Sequence, residues 1–170
     1  MFVSFFGTVS IKLYFNFDDP VSIHTLSAAA YNVLRDINKK RGNDPVLIKE
    51  WIPQYLIRPE KQKEYWALIN EAENFFKHAE KDTEAVLAFR PGETELLLWE
   101  AGSLYQRLTG ELPPLIRVYR GWFLMHHVDY FTELSGEDKA NIDRMKYRLS
   151  DRGKYFKELL EIAFKSCSRP

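Results

Sequence analysis

Cysteine is nearly absent from this sequence, and neither sign of charge is in excess. The 170 residues include one cysteine, Cys167, so no disulfide can form within the chain. The sequence also lacks the Cys/His spacing of a zinc site, and a lone thiol of this kind favours a reducing compartment. Lys plus Arg equals Asp plus Glu at 24 each, so the chain has no overall basic footprint for nucleic acid or an anionic membrane.

Long hydrophobic runs are missing too. The most apolar stretch is MFVSFFGTVSIKLYFNF, which Lys12 and Asn16 interrupt before the roughly 20 residues that a membrane-spanning helix needs. No basic residue precedes this run and no small-residue cleavage site follows it, so it does not fit a secretory signal. The sequence therefore predicts a cytoplasmic protein with no membrane partner.

Apolar residues at helical spacing are abundant. They make up 45% of the chain, which is enough for a packed core. From Asp19, a predicted N-cap, apolar side chains recur at intervals of three and four, the spacing of one helix face. On the first helix this face comprises Ile23, Leu26, Ala30, Val33 and Ile37.

The same spacing and the turn residues predict one all-α domain over residues 1–170, an irregular bundle of five to seven helices. Residues 9–17 alternate between apolar and polar, which leaves a strand and a helix open for the amino-terminal arm, residues 1–18. A carboxyl-terminal helical segment is predicted at 135–170, with Ser135 as its cap. Helices before it are expected at residues 19–41, 59–79, 94–109 and 115–134, joined by loops at 42–58 and 80–93.

Polar residues intrude on two of these apolar helices. In NFFKHAEKD, residues 74–82, the end of a helix carries Asn, Lys, His and Asp together, which fits either a helix cap or the edge of a cleft. His24 precedes the small residues of SAAA, which indicates a helix–helix boundary and a buried imidazole with a hydrogen-bond partner. If the two helices pack together, they would form one cleft for a small anionic ligand, lined by His24, Asn74, Lys77, His78 and Asp82.

Metal chemistry has little support in the sequence. The chain has four histidines, but none follows a glutamate by three residues as in di-iron bundles, and HExxH is absent. No cofactor and no metal ligand is predicted. A metal-dependent bundle enzyme therefore stays only as a second alternative, and it would need at least three histidines and carboxylates to converge.

Arg120 and His127, with six residues between them, resemble the Arg-x4–6-His motif of HEPN domains. This resemblance implies an all-α, metal-independent ribonuclease or its inactive relative, acting on RNA as a homodimer. Arg120 would contact the phosphate and His127 would act as acid or base. The sequence departs from the motif at Gly121, where the family usually has a polar residue.

A broader resemblance covers about a third of the chain. The blocks DPVSIHTLSAAAYNVLRD, NFFKHAEKD and ETELLLWEAGSLYQRLTGELPP are similar to those of a small bacterial family of uncharacterised helical proteins. The resemblance implies a helix over residues 9–17 and brings no activity. Taken together, the residues favour a helical binding or interaction module, with the HEPN-like ribonuclease as the first alternative.

Overall fold

The computed structural model describes residues 2–16, 19–78, 87–130, 135–148 and 151–167, and these residues form helices without strands. The all-α prediction is therefore confirmed. None of the described helices is long and apolar enough to cross a membrane. The helices are α1 (Phe2–Phe15), α2 (Pro20–Lys40), α3 (Ile52–Tyr55), α4 (Gln62–Ile69), α5 (Glu71–Lys77), α6 (Pro91–Thr109), α7 (Pro114–His126), α8 (Gly136–Arg148) and α9 (Arg152–Cys167).

The described segments thus hold more helices than the five to seven expected. The helix predicted over 59–79 is divided, because Asn70 ends α4 and also precedes α5. The loop predicted at 42–58 contains a π-helical turn, Leu47–Trp51, followed by α3. The helix predicted at 115–134 ends at His126, and residues 79–86 and 131–134 lie outside the described part.

Helix ends follow their local sequence. The Asp19 carboxylate accepts the backbone N–H groups of Val21 and Ser22, which have no partner inside α2. Pro20 occupies the first helical position, where its missing N–H costs nothing. At the end of α6, Gly110 adopts a left-handed conformation with φ of 76°, which is strained for a residue that has a side chain.

The core lies among α1, α2, α6, α7 and α9. Helix α2 packs against both α1 and α6, and α7 packs against α6 and α9. Small residues bring α1 and α2 together, since the hydroxyls of Ser10 and Ser27 lie 2.6 Å apart across the interface. Between α1, α7 and α9 the core is aromatic, with ring pairs that join Phe15 to Tyr119, Trp122, Tyr155 and Phe156.

Two predictions about helix faces need correction or completion. Val33 was expected on the buried face of α2, but 43% of it is exposed, and Tyr31 and Leu34 are buried instead. The inner face therefore keeps Ile23 and Ala30 but is rotated at Val33 from the one expected. Within the amino-terminal arm, α1 covers Phe2–Phe15, so this part is helical, and Ile11, one of its alternating apolar residues, is buried.

Candidate functional site

His24 is buried in the interface between α2 and α6. Its Nδ1 lies 2.9 Å from the Thr94 hydroxyl, and the rings of Phe76 and Phe89 contact the imidazole edge-on. Burial lowers the pKa of His24, Glu73 raises it and Lys49 lowers it, with burial the largest effect. The imidazole is therefore a buried group with a hydrogen-bond partner, as the sequence predicted, and that partner is Thr94 of α6.

The other residues of the predicted cleft lie on a different surface. Asn74, Lys77 and His78 are exposed on or just after α5. The ring from this region that contacts His24 is that of Phe76, whereas His78 is exposed at the carboxyl-terminal cap of α5. The structure therefore does not bring His24 and His78 together, and Asp82 lies outside the described residues.

A charged cluster joins α5 to the core next to His24. The Lys49 ammonium, on a side chain that is 4% exposed, donates to Glu73 at 3.1 Å and to Asn32 at 3.2 Å. Lys77 donates to the other Glu73 oxygen at 2.8 Å, and Asn32 donates to that oxygen as well. Burial raises the pKa of Glu73, but the two ammonium groups outweigh it and lower the pKa to about 2. The cluster is a satisfied ion-pair network, so it offers no vacant charge to a ligand.

A pocket of about 250 Å³ opens where α2, α6 and α9 all begin, beside the end of α1. We call it the Arg152 pocket. Its polar groups come from Tyr14, Thr94 and Arg152, and Thr94 is the hydroxyl that also binds His24. The remaining lining residues are apolar: Pro20, Ile23, Phe89 and Pro91.

A chain of polar groups runs from this pocket towards the surface. The guanidinium of Arg152 lies over the Tyr14 ring, 4.1 Å from its centroid. The Tyr14 hydroxyl donates to one oxygen of Glu95 at 2.7 Å, and His127 Nε2 lies 2.8 Å from the other oxygen. Burial and then Glu95 raise the pKa of Tyr14, while Arg152 lowers it, so the hydroxyl keeps its proton.

Arg120 and His127 are not brought to one point. Arg120 hydrogen-bonds Gln106, whereas His127 bonds Glu95, eleven residues earlier on α6. Eleven residues of helix rise about 16 Å along the axis, so the two side chains are held at well-separated positions along α6. Gly121, the departure from the HEPN motif, has a packing reason, because a Cβ there would lie 3.1 Å from the Tyr155 hydroxyl.

Metal binding gains no candidate from the geometry. Among the described residues no three His, Cys, Asp or Glu side chains lie close enough together to hold an ion. The neighbouring histidines His126 and His127 contact different groups: the His126 ring stacks on Trp122, and His127 hydrogen-bonds Glu95.

The sequence reasoning missed three polar residues of the pocket, Tyr14, Thr94 and Arg152. Tyr14 lies in a segment whose alternation of apolar and polar residues fits both a strand and a helix. Thr94 stands at a predicted helix start, with no feature that marks it as a site residue. Arg152 is the first residue of α9, within a segment predicted only as helical, and its position at a helix start is a usable signal because helix amino termini often bind anions. Comparisons with known protein families, with curated proteins and with solved structures find no match, so both family resemblances stay predictions.

Proposed function

We propose that the protein is a helical binding module that holds a small organic anion, of carboxylate type, in the Arg152 pocket. The observation that carries this proposal is the Arg152 guanidinium on the wall of a small, mostly apolar pocket. A guanidinium binds a carboxylate through two parallel hydrogen bonds, and Tyr14 holds the group in place from below. A cytoplasmic location belongs to the same proposal, since the single cysteine suits a reducing compartment.

Size and lining define the ligand. At about 250 Å³ the pocket is smaller than the common range for drug-sized ligands, about 300–1,000 Å³, so it fits a single ring or a short branched chain. Ile23 and Phe89 would contact the apolar part of such a molecule. The amino-terminal end of α6, which has no side-chain cap, also borders the pocket, and its dipole favours a negative charge there, whereas Asp19 already caps α2.

The geometry favours binding over the ribonuclease alternative. RNA cleavage would need Arg120 and His127 at one phosphate, but their hydrogen-bond partners on α6 are about 16 Å apart. His127 is instead linked through Glu95 to Tyr14, which lines the pocket. In a binding module this link would hold Tyr14 in position beneath Arg152.

The test compares anions with neutral molecules of the same shape. We expect calorimetry to detect binding of benzoate or isovalerate, and weaker or no binding of benzamide and isovaleramide. Arg152→Met keeps the apolar stem and removes the charge, so the affinity for the anion should fall by about 10–100-fold. Arg144→Met, at an exposed arginine on α8, is the matched control and should bind normally. Equal binding of amide and acid, or an unchanged affinity in Arg152→Met, would contradict the proposal.

A further inference from the structure

A second surface, separate from the Arg152 pocket, combines exposed aromatic residues with basic ones. It is a groove of about 360 Å³ between α6 and the π-helical turn Leu47–Trp51. Trp51 and Trp99 line it, and Arg107 closes one end. We call it the Trp51 groove. Large apolar side chains continue from it over the neighbouring surface, where Leu47, Trp51, Tyr55 and Leu56 are 37%, 40%, 59% and 63% exposed.

The backbone around the groove is held firmly. Glu100, on α6, accepts the backbone N–H groups of Leu47 and Ile48, and the Tyr65 hydroxyl donates to the Ile48 carbonyl. Because Glu100 is only 4% exposed and both its oxygens are engaged, its charge is not presented to a ligand. These hydrogen bonds fix the backbone that carries the exposed aromatic residues, which lowers the entropic cost of binding.

The charge at the rim identifies the partner. Arg107 donates to the Asp44 carbonyl, and Arg41 donates to the Leu108 carbonyl, so the ends of α2 and α6 meet beside the groove. Arg41, one of the cations of KKRGND at residues 39–44, therefore reaches the rim beside Arg107, whereas Lys39 lines a different pocket. An apolar slot with a basic rim is complementary to a peptide that carries apolar side chains and carboxylates together.

We propose that the Trp51 groove docks an acidic amphipathic peptide segment of a partner protein. Apolar side chains of the segment insert beside Trp51 and Trp99, and its carboxylates face Arg107 and the basic end of α2. A peptide fits better than a nucleic acid, because aliphatic residues form much of the surface and the chain has no net charge. The proposal does not depend on the Arg152 pocket, since the two sites share no lining residue.

The four tryptophans provide the readout. In a ¹H–¹⁵N correlation spectrum, each indole N–H gives its own peak, and two of the four, from Trp51 and Trp99, belong to the groove. Trp122 is buried in the core and serves as the internal control. The probe is a synthetic peptide of about 14 residues with Leu and Phe at helical spacing and Glu elsewhere. A second peptide replaces each Glu by Lys, and a single-stranded RNA oligonucleotide is the third probe.

The expected result is a shift of the Trp51 and Trp99 peaks with the Glu peptide and none with the Lys peptide. Arg107→Glu should lower the affinity for the Glu peptide at least about tenfold. Lys157→Glu, the same charge reversal at an exposed site on α9, should leave that affinity unchanged. An unshifted Trp122 peak shows that each variant is folded; if Arg107→Glu fails this check, Trp51→Ala replaces it. Equal binding of both peptides, shifts with RNA alone, or no shift at about 1 mM peptide would overturn the proposal.

Discussion

At the scale of single residues, His24 shows how burial turns a titratable group into a structural one. Its neighbours are the Thr94 hydroxyl and two phenylalanine rings, with Glu73 and Lys49 as the charged groups that act on it. A protonated imidazole would lose much of its hydration in this position. The fold therefore holds His24 in its neutral form.

Acid should weaken the fold through His24, starting near neutral pH. Its folded-state pKa is lowered, so the unfolded chain, with a pKa near 6.5, binds this proton more readily. The stability that comes from neutral His24 is complete above about pH 6.5 and is lost as the pH falls through the lowered folded-state pKa. We expect urea denaturation between about pH 7 and 5 to show this decline.

His24→Asn removes the titrating group, so its unfolding free energy should depend less on pH over that range. It should also be about 1–2 kcal/mol less stable at pH 7, because Thr94 loses a well-placed partner. Thr25→Ala, at an exposed residue of α2 that carries no titratable group, should keep the parent slope. If His24→Asn kept that slope too, the buried imidazole would not be the cause.

The burial of His24 could be predicted from sequence, but its partner could not. SAAA beside it indicates a close helix contact, and a histidine in such a contact is usually buried. Thr94 is 70 residues away from His24 in the sequence. Which residue of α6 contacts His24 depends on the rotation of α2 about its axis, and the apolar spacing predicted this rotation wrongly at Val33. The residues of the predicted cleft do not share one surface, because His24 is buried whereas Asn74, Lys77 and His78 are exposed.

At the scale of helices, the contact between α6 and α7 depends on a missing side chain. A Cβ at Gly102 would lie 2.9 Å from Ile116 Cγ2, closer than packed carbon atoms approach. Ile116 is buried and β-branched, so its methyl group has little freedom to move away. Gly102 therefore sets how closely α7 packs on α6, the helix that also carries Glu95 and Thr94.

Gly102→Ala should destabilise the protein even though alanine is the better helix former. Overpacking against Ile116 costs about 1–3 kcal/mol, and the gain in helix propensity offsets about 1 kcal/mol of it. A net loss of up to about 2 kcal/mol should appear as a lower Tm in calorimetry. Gly136→Ala is the control, because nothing lies within 4 Å of a Cβ there, and its Tm should match or exceed that of the parent. Equal Tm values for the two variants would contradict the close contact.

At the scale of the whole molecule, the all-α class could be predicted because each helix repeats its own apolar spacing over several turns. The arrangement of sites could not, because it depends on which helix ends meet. The Arg152 pocket joins Tyr14, Thr94 and Arg152 from three helices, and no spacing within one segment links them. The break at Asn70 could not be predicted either, because the apolar spacing continues through it. The backbone of Asn70 is not helical, so α4 ends before it and α5 begins after it.

The Lys49–Glu73 ion pair links helix α5 to the core, because Asn32 of α2 hydrogen-bonds both residues. Glu73 has a pKa of about 2 in the fold, below its ordinary value, since Lys77 and Lys49 outweigh the opposing effect of burial. Its carboxylate therefore stabilises the fold fully above about pH 4.5, and this contribution is lost as the pH falls towards about 2. The window lies below that of His24, so the two groups can be separated by pH.

Glu73→Gln should lower the unfolding free energy at pH 7 by about 3 kcal/mol, because it leaves the buried Lys49 ammonium without its counter-charge. The variant should also lose less stability than the parent between about pH 5 and 2, as followed by urea denaturation. Glu64→Gln breaks an exposed ion pair with Lys61 and should change stability by less than about 0.5 kcal/mol. If Glu73→Gln behaved like Glu64→Gln, the ion pair would contribute no more than a surface contact does, and α4 and α5 would have to be held by other contacts such as the hydrogen bond from Tyr65 to the Ile48 carbonyl.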